Sequence, residues 1–551
     1  MPRTRTGKIL AAFGILLAAA VAWLCLWPVP AQPRAWSAPM PPGYTGPYAP
    51  NKALAGLRSI DLAEEFGPEH LALGPDGKLY AAMTSGALLR MDPDGGNRQV
   101  FANTGGRVLG FDFDKSGRMI AADAMKGLLA ITPDGKVQLL ADRVTPEDPV
   151  RYANSIVVAP DGVVYFTDAS GRFAPRDWGG TYEASVLDIL EQAATGRVLA
   201  FDPATATLRV VAYGFSFANG IALAADGRSL FVSETGRYRI WKVDTAARDV
   251  DVHSESSQVQ VFLDNLPGYP DNLMRGRDGR IWVGLFRPRN PAADKSSGRP
   301  FVRKVLLRLP RSWLPVGEPY GHVFAFDESG RIVEDLQDPS GVYPETTGAT
   351  ETGDRLYIHS LHARSIGWLP RVVSLPDANG IEEIYILRSI REPPAGAAGD
   401  CARELTGFAP FPADAERVFS FWSVGTRAQD GRVLDAHQAR VAELRGCFGA
   451  TTERARQNFY AEIRLGALSF HGTGECLALA VNFPEAGLFP VRCQLTLAGL
   501  PAPYVGGLLT TNTMTSAASL GGETQPPGYT QASIATIRLW KERAHEQEAQ
   551  P

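Results

Sequence analysis

Asparagine and acidic residues occupy one recurrent position in the first two thirds of this chain, just before a short apolar stretch that ends in an Asp-Gly turn. The clearest instance is the sequence Pro-Gly-Tyr-Pro-Asp-Asn-Leu, which contains Asp271 and Asn272. Shorter copies place Asn154 and Asn219 at the same point, and Glu69 precedes a fourth copy. Two carboxylates and three amide carbonyls are hard oxygen donors, which suit Ca²⁺, with Mg²⁺ as the alternative.

The donor types define the chemistry that such a site would perform. No His or Cys occupies the same point, which argues against zinc. A single Asn or Asp before a strand is usually a turn residue, but five at the same phase of a repeat favour a metal site. Open coordination positions would let the metal polarise a carbonyl group or activate water. His70 and Glu69 are the candidate catalytic residues: either could assist proton transfer, His70 as a general base, and a purely structural hydrogen-bonding role is the alternative for His70.

A repeated unit must position these residues. The unit reads apolar strand, Asp/Ser-Gly turn, apolar strand, small polar loop, apolar strand. It recurs at 69–93, 109–133, 154–203, 219–245, 272–328 and 345–370. Short strands separated by Gly turns, without a long helical pattern, predict an all-β fold. Six copies predict a six-bladed β-propeller over residues 51–390, with 51–60 supplying a strand that closes the last blade.

Two long insertions interrupt the repeat, at residues 172–194 and 287–316. Insertions on one face of a repeat fold commonly cover a pocket. Trp178, Tyr182 and Trp313 are therefore candidate substrate-pocket residues, as is His362 in the sixth copy. The alternative is that the insertions only cover the surface of their blades.

The motifs resemble a known family. They are Gly-Pro-Glu at Glu69, Tyr-Ala-Asn at Asn154, Phe-Ala-Asn-Gly-Ile at Asn219, and Asn-Leu-Pro-Gly-Tyr-Pro-Asp-Asn-Leu at 265–273. Together they resemble the strictosidine synthase-like family over about residues 50–375. The wider group includes adipocyte plasma membrane-associated protein, paraoxonases and SMP-30/gluconolactonases. The resemblance implies a six-bladed propeller whose axial Ca²⁺ assists lactone or ester hydrolysis, and the five residues above match that metal site.

The chain departs from two branches of this group at their catalytic residues. Thr347 stands where plant strictosidine synthase has a catalytic glutamate, with Glu345 two residues away, which argues against alkaloid condensation. Leu109 and Gly110 stand where paraoxonases have a histidine. The resemblance therefore implies the fold and the metal more firmly than the reaction.

The N-terminus predicts a membrane anchor. Residues 1–8 are basic, 9–27 carry no charge, and 28–50 are Pro-rich. This pattern is typical of a cytoplasmic tail, a transmembrane signal-anchor and an extended tether, which predicts a single-pass inner-membrane protein with its globular part in the periplasm. A cleaved signal peptide is the alternative, since Val29-Pro30-Ala31 loosely fits a cleavage site.

The last third lacks the repeat. Residues 391–400 predict a linker, 401–542 a small α+β domain, and 543–551 a disordered tail. Helical spacing predicts helices at 431–446 and 452–464, and apolar runs predict strands at 467–470, 476–483, 491–497 and 534–540. Four cysteines in an exported region are consistent with two disulfides, and four allow three pairings. Cys476 and Cys493 lie on two strand-like runs that they could join, which leaves Cys401 and Cys447.

These observations lead to two functional hypotheses. The net charge of −4 and the absence of a basic run after the N-terminus argue against a nucleic-acid partner. The first hypothesis is an exported, membrane-anchored, Ca²⁺-dependent hydrolase of small lactones or esters. The second is a non-catalytic ligand-binding propeller with a structural metal. The C-terminal domain is expected either to stabilise the protein or to bind an envelope or polymer partner.

Overall fold

The computed structural model describes residues 5–277, 279–309, 317–353, 355–371, 375–376, 381–392, 416–426, 433–448, 456–478, 488–516 and 532–541. The chain forms two compact units. The first comprises Met1–Thr352 and Tyr357–Trp368, and the second comprises Gly353–Leu356 and Leu369–Pro551.

Up to residue 370, the part of the chain that the structure describes has 27 strands and four α-helices. The strands are β1 (Arg58–Asp61), β2 (His70–Leu73), β3 (Leu79–Ala82), β4 (Ala87–Met91), β5 (Gln99–Asn103), β6 (Val108–Phe113), β7 (Met119–Asp123), β8 (Gly127–Ile131), β9 (Val137–Ala141), β10 (Arg143–Thr145), β11 (Asp148–Pro149), β12 (Ala153–Val158), β13 (Val164–Asp168), β14 (Gly196–Asp202), β15 (Thr207–Phe215), β16 (Ala218–Leu223), β17 (Ser229–Glu234), β18 (Arg239–Asp244), β19 (Val250–Asp251), β20 (Val259–Leu263), β21 (Gly268–Arg275), β22 (Ile281–Pro288), β23 (Gly321–Phe326), β24 (Ile332–Asp338), β25 (Thr346–Glu351), β26 (Arg355–Ser360) and β27 (Ser365–Pro370). The helices are α1 (Arg5–Leu26), α2 (Thr181–Glu191), α3 (Pro291–Ser296) and α4 (Pro300–Leu306), with short 3₁₀ turns at Gly46–Tyr48 and Thr235–Arg237.

These strands form a six-bladed β-propeller, as the repeat predicts. The blades are β2-β3-β4-β5, β6-β7-β8-β9, β12-β13-β14-β15, β16-β17-β18-β20, β21-β22-β23-β24 and β25-β26-β27-β1. The first strand of each blade is its inner strand, and each inner strand contacts the inner strands of the two neighbouring blades. The six inner strands therefore line one central channel.

The ring closes through the sixth blade, which combines the two ends of the repeat. Strand β1 pairs antiparallel with β27, with Arg58 opposite Trp368 and Ile60 opposite Ile366. The closing strand predicted within residues 51–60 is thus present at Arg58–Asp61. With β1 added, the sixth blade has four paired strands, as the other blades have at least.

Apolar side chains from facing sheets hold adjacent blades together. Between the fourth and fifth blades, Phe231, Ile240, Leu273, Val283 and Phe324 form one buried cluster. Their strands are apolar on both faces because each blade is covered on both sides, which is why the pattern reads as short apolar runs rather than as strict alternation.

Both predicted insertions lie on the channel-mouth side of the ring. The first connects β13 to β14 and contains α2, and the second connects β22 to β23 and contains α3 and α4. In each blade this connection leaves the end of the second strand that lies beside the start of the inner strand. The insertions therefore rise from the same face as the predicted axial residues.

Residues 28–50, predicted as a tether, are extended and lie against the propeller. The Gln32 amide donates to Glu191 Oε2 at 2.6 Å, and the Trp36 amide donates to the Ser297 carbonyl at 3.2 Å. Buried Arg303 donates to the carbonyls of Leu190 and Arg34, so that it links α2, α4 and this segment. We call residues 28–50 the strap.

The membrane-anchor prediction is wrong. Helix α1 is present, but within the described part of the chain no helix is both long and apolar enough to cross a membrane. The prediction of a single-pass inner-membrane location with a periplasmic body depended on that helix, and it is therefore also wrong. The end of α1 instead contacts the second insertion, where Arg308 donates to the carbonyls of Leu24 and Trp27.

The second unit is a curled antiparallel sheet. Its strands are β28 (Leu375–Pro376), β29 (Glu382–Glu392), β30 (Glu416–Thr426), β31 (Val433–Phe448), β32 (Arg456–Leu465), β33 (Leu468–Ala478), β34 (Leu488–Ala498), β35 (Tyr504–Ser516) and β36 (Ala532–Lys541). They pair in sequence order, and β29 also pairs with β36, so that the sheet closes on itself. An apolar cluster that includes Leu387, Ile463, Leu495 and Ile537 forms its core.

The predicted α+β domain is not confirmed, because the described residues of the second unit that form regular structure are all strands. The described residues of the segments predicted as helices, 433–446 and 456–464, belong to β31 and β32. Phe459, Ala461, Ile463 and Leu465 are buried and alternate with more exposed residues, which is the period of a strand. The four strand-like runs lie within or overlap β33, β34 and β36, as predicted.

The predicted Cys476–Cys493 disulfide is present and joins paired positions of β33 and β34. Cys401 lies outside the described residues, and so does the side chain of Cys447, so their pairing stays a prediction. Most of the predicted linker and the whole predicted tail also lie outside the described residues.

Candidate functional site

The predicted axial residues lie where three inner strands have β-bulges. The register of β12 with β13 shifts between Ala153 and Ile156, and that of β16 with β17 shifts between Ala218 and Ile221. In β21 the register shifts between Pro270 and Leu273. Asn154, Asn219, Asp271 and Asn272 therefore occupy bulged positions, and a bulge turns a side chain away from the regular alternation of the strand.

Direct contacts join four of the five predicted ligands. The Asn272 amide donates to the Glu69 carbonyl at 3.1 Å and lies 3.5 Å from Glu69 Oε1. The Asn219 side chain hydrogen-bonds to the Asp271 carboxylate, and the charges of Glu69 and Asp271 act on each other. Asn154 is likewise buried, at the equivalent position of the third blade. The channel mouth thus brings the first, fourth and fifth blades together as the repeat predicts.

Oxygen atoms at this site are left without hydrogen-bond donors. Among the described residues, Glu69 Oε2, Asn219 Oδ1 and Asn272 Oδ1 are buried and have no hydrogen-bond partner. Buried acceptors are normally paired, because leaving one unpaired costs about 1–3 kcal/mol. Unpaired carboxylate and amide oxygens in one place are the donor set that a hard divalent cation uses. These residues therefore fit the calcium ion that the family resemblance implies.

Burial disfavours the ionised forms of the two carboxylates at this site. Burial raises the pKa of Glu69, although Arg107 opposes the shift. Burial and the charge of Glu69 raise the pKa of Asp271 well above its usual range. Two buried carboxylates in contact repel each other, and a divalent cation between them would favour both ionised forms.

The description of a metal site rests on this mixed donor set. The described residues contain no group of three or more His, Cys, Asp or Glu side chains that could hold a metal. Such a group is not required here, because three of the five donors are amide carbonyls. Amide carbonyls are ordinary ligands of Ca²⁺ and poor ligands of zinc.

Hydroxyl groups fix the backbone that carries the axial residues, which the sequence interpretation did not find. Thr167 Oγ1 donates to the Asn219 carbonyl and Ser233 Oγ donates to the Asp271 carbonyl, both at 2.6 Å. Thr347 Oγ1 donates to the Glu69 carbonyl at 3.0 Å. Each hydroxyl reaches from one blade to the next. Thr347, which aligns with a catalytic glutamate of strictosidine synthase, therefore has a positioning role here.

Carboxylates at the ends of three second strands hold the loops that lead to the inner strands. Asp123 accepts from the Arg107 amide at 3.1 Å, Asp168 from the Tyr152 amide at 2.8 Å, and Glu234 from the Ser216 amide at 2.8 Å. The signal for these residues was present in the sequence, since an acidic residue recurs at the end of the second strand of the repeat. The hydrogen bonds show that it orders the loop before each axial position.

His70, the predicted general base, is buried in the channel below Glu69. Its ring packs against Phe111 at 4.7 Å and lies 5.7 Å from the ring of His359. Neither ring nitrogen has a hydrogen-bond partner among the described residues. Burial lowers the pKa of His70 to about 4, so that the imidazole is neutral at neutral pH.

His362 has the opposite environment, at the rim of the same channel mouth. Its Nδ1 atom contacts Glu345 Oε2, and Arg287 contacts the other oxygen of the same carboxylate. The hydrogen bond to Glu345 raises the pKa of His362, and the charge of His362 acts on Glu69. The Tyr182 ring lies 6.3 Å from the His362 ring. The structure thus places the two candidate pocket residues Tyr182 and His362 near each other, and it adds Glu345 as the partner of His362.

The other candidate pocket residues have different outcomes. Trp178 is 36 % exposed and packs against Phe173 at 5.4 Å. Trp313 lies outside the described residues. Tyr152 and Phe217, which immediately precede the axial segments, pack edge to face at 5.3 Å, and Ala31 of the strap is buried in the same cluster. The strap therefore covers the apolar wall beside the site.

Comparison with known proteins gives the same family as the motifs. Residues 75–293 match the SMP-30/Gluconolactonase/LRE-like region, and residues 46–91 match the strictosidine synthase-like N-terminal model. The protein STRICTOSIDINE SYNTHASE-LIKE 4 of Arabidopsis thaliana is 31% identical, over 57% of this chain and 82% of its own length. The adipocyte plasma membrane-associated protein of Danio rerio is 31% identical, over 61% of this chain and 82% of its own length.

Solved structures with a similar fold share less sequence. A gluconolactonase from Xanthomonas campestris is 19% identical with a TM-score of 0.42, and the match covers 62% of this chain and 98% of that one. A calcium-binding regucalcin from Agrobacterium tumefaciens is 15% identical with a TM-score of 0.39, over 57% and 92% of the two chains. No function is transferred from them at these identities. The curated relatives share more sequence over most of their length, and the chain belongs to the strictosidine synthase-like family that includes the adipocyte plasma membrane-associated proteins.

Proposed function

We propose that this protein is a Ca²⁺-dependent hydrolase of small lactones or esters, with its reactive centre at the mouth of the propeller channel. The observation that carries the proposal is the set of buried, unpaired oxygens of Glu69, Asn219 and Asn272. With Asp271 and Asn154 they form a ligand set of mixed carboxylates and amides. When bound, Ca²⁺ would act as a Lewis acid toward a substrate carbonyl or a water molecule.

The chain's own residues supply proton transfer. A general base needs a pKa near the working pH and must be accessible to the reacting water. His362 meets both conditions, because it is half-exposed and Glu345 raises its pKa above the usual value for histidine. His70, the base predicted from the sequence, lies adjacent to Glu69 but is fully enclosed. We therefore propose His362, oriented by Glu345, as the proton acceptor, with His70 and Glu69 as the competing candidates.

The first experiment measures calcium binding and hydrolysis on the same preparation of the full-length chain. We expect isothermal titration to show one tight Ca²⁺ site, and chelator to abolish turnover in a screen of lactones and aryl esters. Asp271→Asn should weaken Ca²⁺ binding by about tenfold or more, because it removes one of the two ligand charges. Asp226→Asn, in an exposed turn, serves as the matched control.

Two variants then separate the two candidate histidines. His362→Gln should lower kcat with little change in Ca²⁺ affinity, and His70→Ala should leave kcat nearly unchanged. A large fall in kcat in His70→Ala, with kcat nearly unchanged in His362→Gln, would assign the base to His70. Calcium binding without turnover on any substrate would support the alternative, a ligand-binding propeller with a structural metal. Absence of calcium binding would contradict both forms of the proposal.

A further inference from the structure

The second blade contributes a charged side chain to the channel mouth that the sequence interpretation did not include. Arg107 directly precedes the inner strand β6, as Glu69 directly precedes the inner strand β2. Its backbone is fixed at both ends of the residue, since its amide donates to Asp123 and its carbonyl accepts from the Ala124 amide at 2.8 Å. Arg107 therefore occupies the axial position of its blade.

The Arg107 guanidinium is buried without the partners that such a group needs. The residue is 5 % exposed, and Nη1 and Nη2 have no hydrogen-bond partner among the described residues. The ion pair of Nη2 with Glu69 Oε2 is 3.8 Å long, which is beyond hydrogen-bond length. Burying a charged group with unmade hydrogen bonds is costly. A ligand that accepts from both nitrogens would remove this cost.

The shape of the group and the local charge both indicate which ligand fits. Two terminal N–H groups of a guanidinium match the two oxygens of a carboxylate in a bidentate pair. The charge of a divalent cation would cancel those of the Glu69 and Asp271 carboxylates. The Arg107 guanidinium would then be available to pair with one anionic group of a ligand, since one guanidinium matches one carboxylate. Beside it, the Tyr152 and Phe217 rings provide an apolar wall.

We propose that Arg107 binds a carboxylate of the substrate, so that the preferred substrates are monoanionic lactones or esters with an apolar body. That the ligand is a substrate rests on the proposed hydrolase, whereas the carboxylate-binding site at Arg107 does not. Arg107 sets specificity by pairing with the anionic group, while a Ca²⁺ ion held by the adjacent oxygens would supply Lewis-acid activation of the reactive carbonyl. The alternative is that Arg107 only offsets the charge of Glu69.

Binding is tested first, without any requirement for turnover. The probes are phenylacetate and its neutral isostere phenylacetamide, titrated into the full-length, calcium-supplemented protein. We expect phenylacetate to bind the wild type about 10- to 100-fold more tightly than phenylacetamide, the range for hydrogen bonds to charged groups. Arg107→Met should remove this preference. Arg107→Lys should keep only part of it, because lysine lacks the planar fork.

The control is Arg209→Met, which removes an arginine that donates to the carbonyls of Ala247 and Thr245 on the outside of its blade. Equal binding of the two probes to the wild type would overturn the proposal, as would an unchanged preference in folded Arg107→Met. If Arg107→Met does not fold, Arg107→Lys is the deciding variant. A role limited to offsetting the charge of Glu69 predicts that Arg107→Lys keeps the full wild-type preference for phenylacetate.

Kinetics then connects the binding site to the reaction. The matched substrates are 4-nitrophenyl acetate and the mono-4-nitrophenyl ester of succinic acid, which differ by a carboxymethyl group. We expect kcat/KM to favour the succinate ester about tenfold or more in the wild type and to lose that preference in Arg107→Met. Arg107-dependent binding of phenylacetate with no turnover of either ester would contradict the hydrolase and leave the carboxylate site standing. Turnover with no preference for the charged ester would support the hydrolase and contradict the carboxylate site.

Discussion

Two histidines near the channel mouth have opposite environments, and that difference decides which can exchange a proton at neutral pH. His70 is enclosed by Phe111 and His359, and burial lowers its pKa to about 4. His362 is half-exposed, and its pKa is raised by the hydrogen bond to Glu345. A neutral, enclosed imidazole packs well in a channel, whereas an accessible imidazole beside a carboxylate suits general base catalysis.

Replacing Glu345 by Gln tests this assignment through pH. Glu345 is partly buried, which raises its pKa, but hydrogen bonds from His362 and Arg287 dominate and lower it, so the carboxylate is ionised at neutral pH. Its loss removes the main cause of the raised His362 pKa. Since protonated histidine cannot accept a proton, activity falls on the acid side of this pKa. We therefore expect the acid limb of kcat/KM to move to lower pH in Glu345→Gln.

The measurement pairs a kinetic pH profile with an NMR titration of His362. The other groups that act on this ring are Glu69, Arg287 and Tyr182, and all three remain in the variant. His253→Gln, at the edge of the fourth blade, is the control. A displaced NMR titration with an unmoved kinetic limb would show that another residue is the base.

The sequence pointed to the candidate site residues that recur, and it named His362 as a pocket candidate without predicting that Glu345 contacts it. Glu69 and Asn219 were found because they occupy one phase of a repeat, so that the fold places them on one axis. Arg107 has the same phase, but its residue type did not match the oxygen donors. Glu345 and His362 lie before and after strands of the sixth blade, and only the blade geometry puts their side chains in contact.

At the scale of elements, hydroxyl groups on one blade hold the bulged inner strand of the next. Ser233, on β17, is the clearest case. It accepts from the Gly220 amide at 2.6 Å and donates to the Asp271 carbonyl at 2.6 Å. Both partners are on bulged segments, where the regular ladder between strands is interrupted. The hydroxyl thus replaces the ladder hydrogen bonds that the bulges remove.

Ser233→Ala should therefore destabilise the propeller and weaken calcium binding together. It leaves a buried N–H and a buried carbonyl unpaired, at about 1–3 kcal/mol. Chemical denaturation measures the free energy of unfolding, and titration measures calcium affinity. Ser229→Ala, on the same strand but partly exposed, is the matched control and should change neither quantity by more than about 0.5 kcal/mol. Loss of stability with unaltered calcium affinity would show that the bulge does not set the ligand geometry.

The elements of the propeller were predictable, whereas those of the second unit were predictable only in part. Six repeats with Gly turns identify blades because each blade is a local unit. In β31, Val433, Leu434, His437, Val441 and Leu444 also fit a helical spacing, which led to the wrong assignment. The partner strands decide such cases, since Ala442 and Leu444 are buried only when β31 pairs with β32.

At the scale of the whole molecule, the single described disulfide belongs to the second unit and the candidate site to the first. Cys476 and Cys493 join β33 to β34 across a sequence separation of 17. Closing a loop of this size stabilises a fold by about 3 kcal/mol. The double variant Cys476→Ala/Cys493→Ala should lower the melting temperature of the second unit. Calcium affinity should not change, because no axial residue lies on these strands.

Calorimetry with and without reductant, together with calcium titration, measures both effects. Mutating Ser469 and Thr496 to Ala, on the same two strands, controls for changes in side-chain volume there. A fall in calcium affinity in the cysteine variant would show that the two units are energetically coupled.

The pairing of β1 with β27 sets an order of events during synthesis. The two strands that complete the sixth blade come from opposite ends of the propeller sequence. While a ribosome makes the first five blades, β1 has no partner, and the ring stays open until β27 has emerged. Contacts between distant parts of a chain form slowly and leave strand edges exposed meanwhile. A nascent chain stalled before residue 365 should therefore depend on chaperones, and one released beyond residue 370 should close its ring.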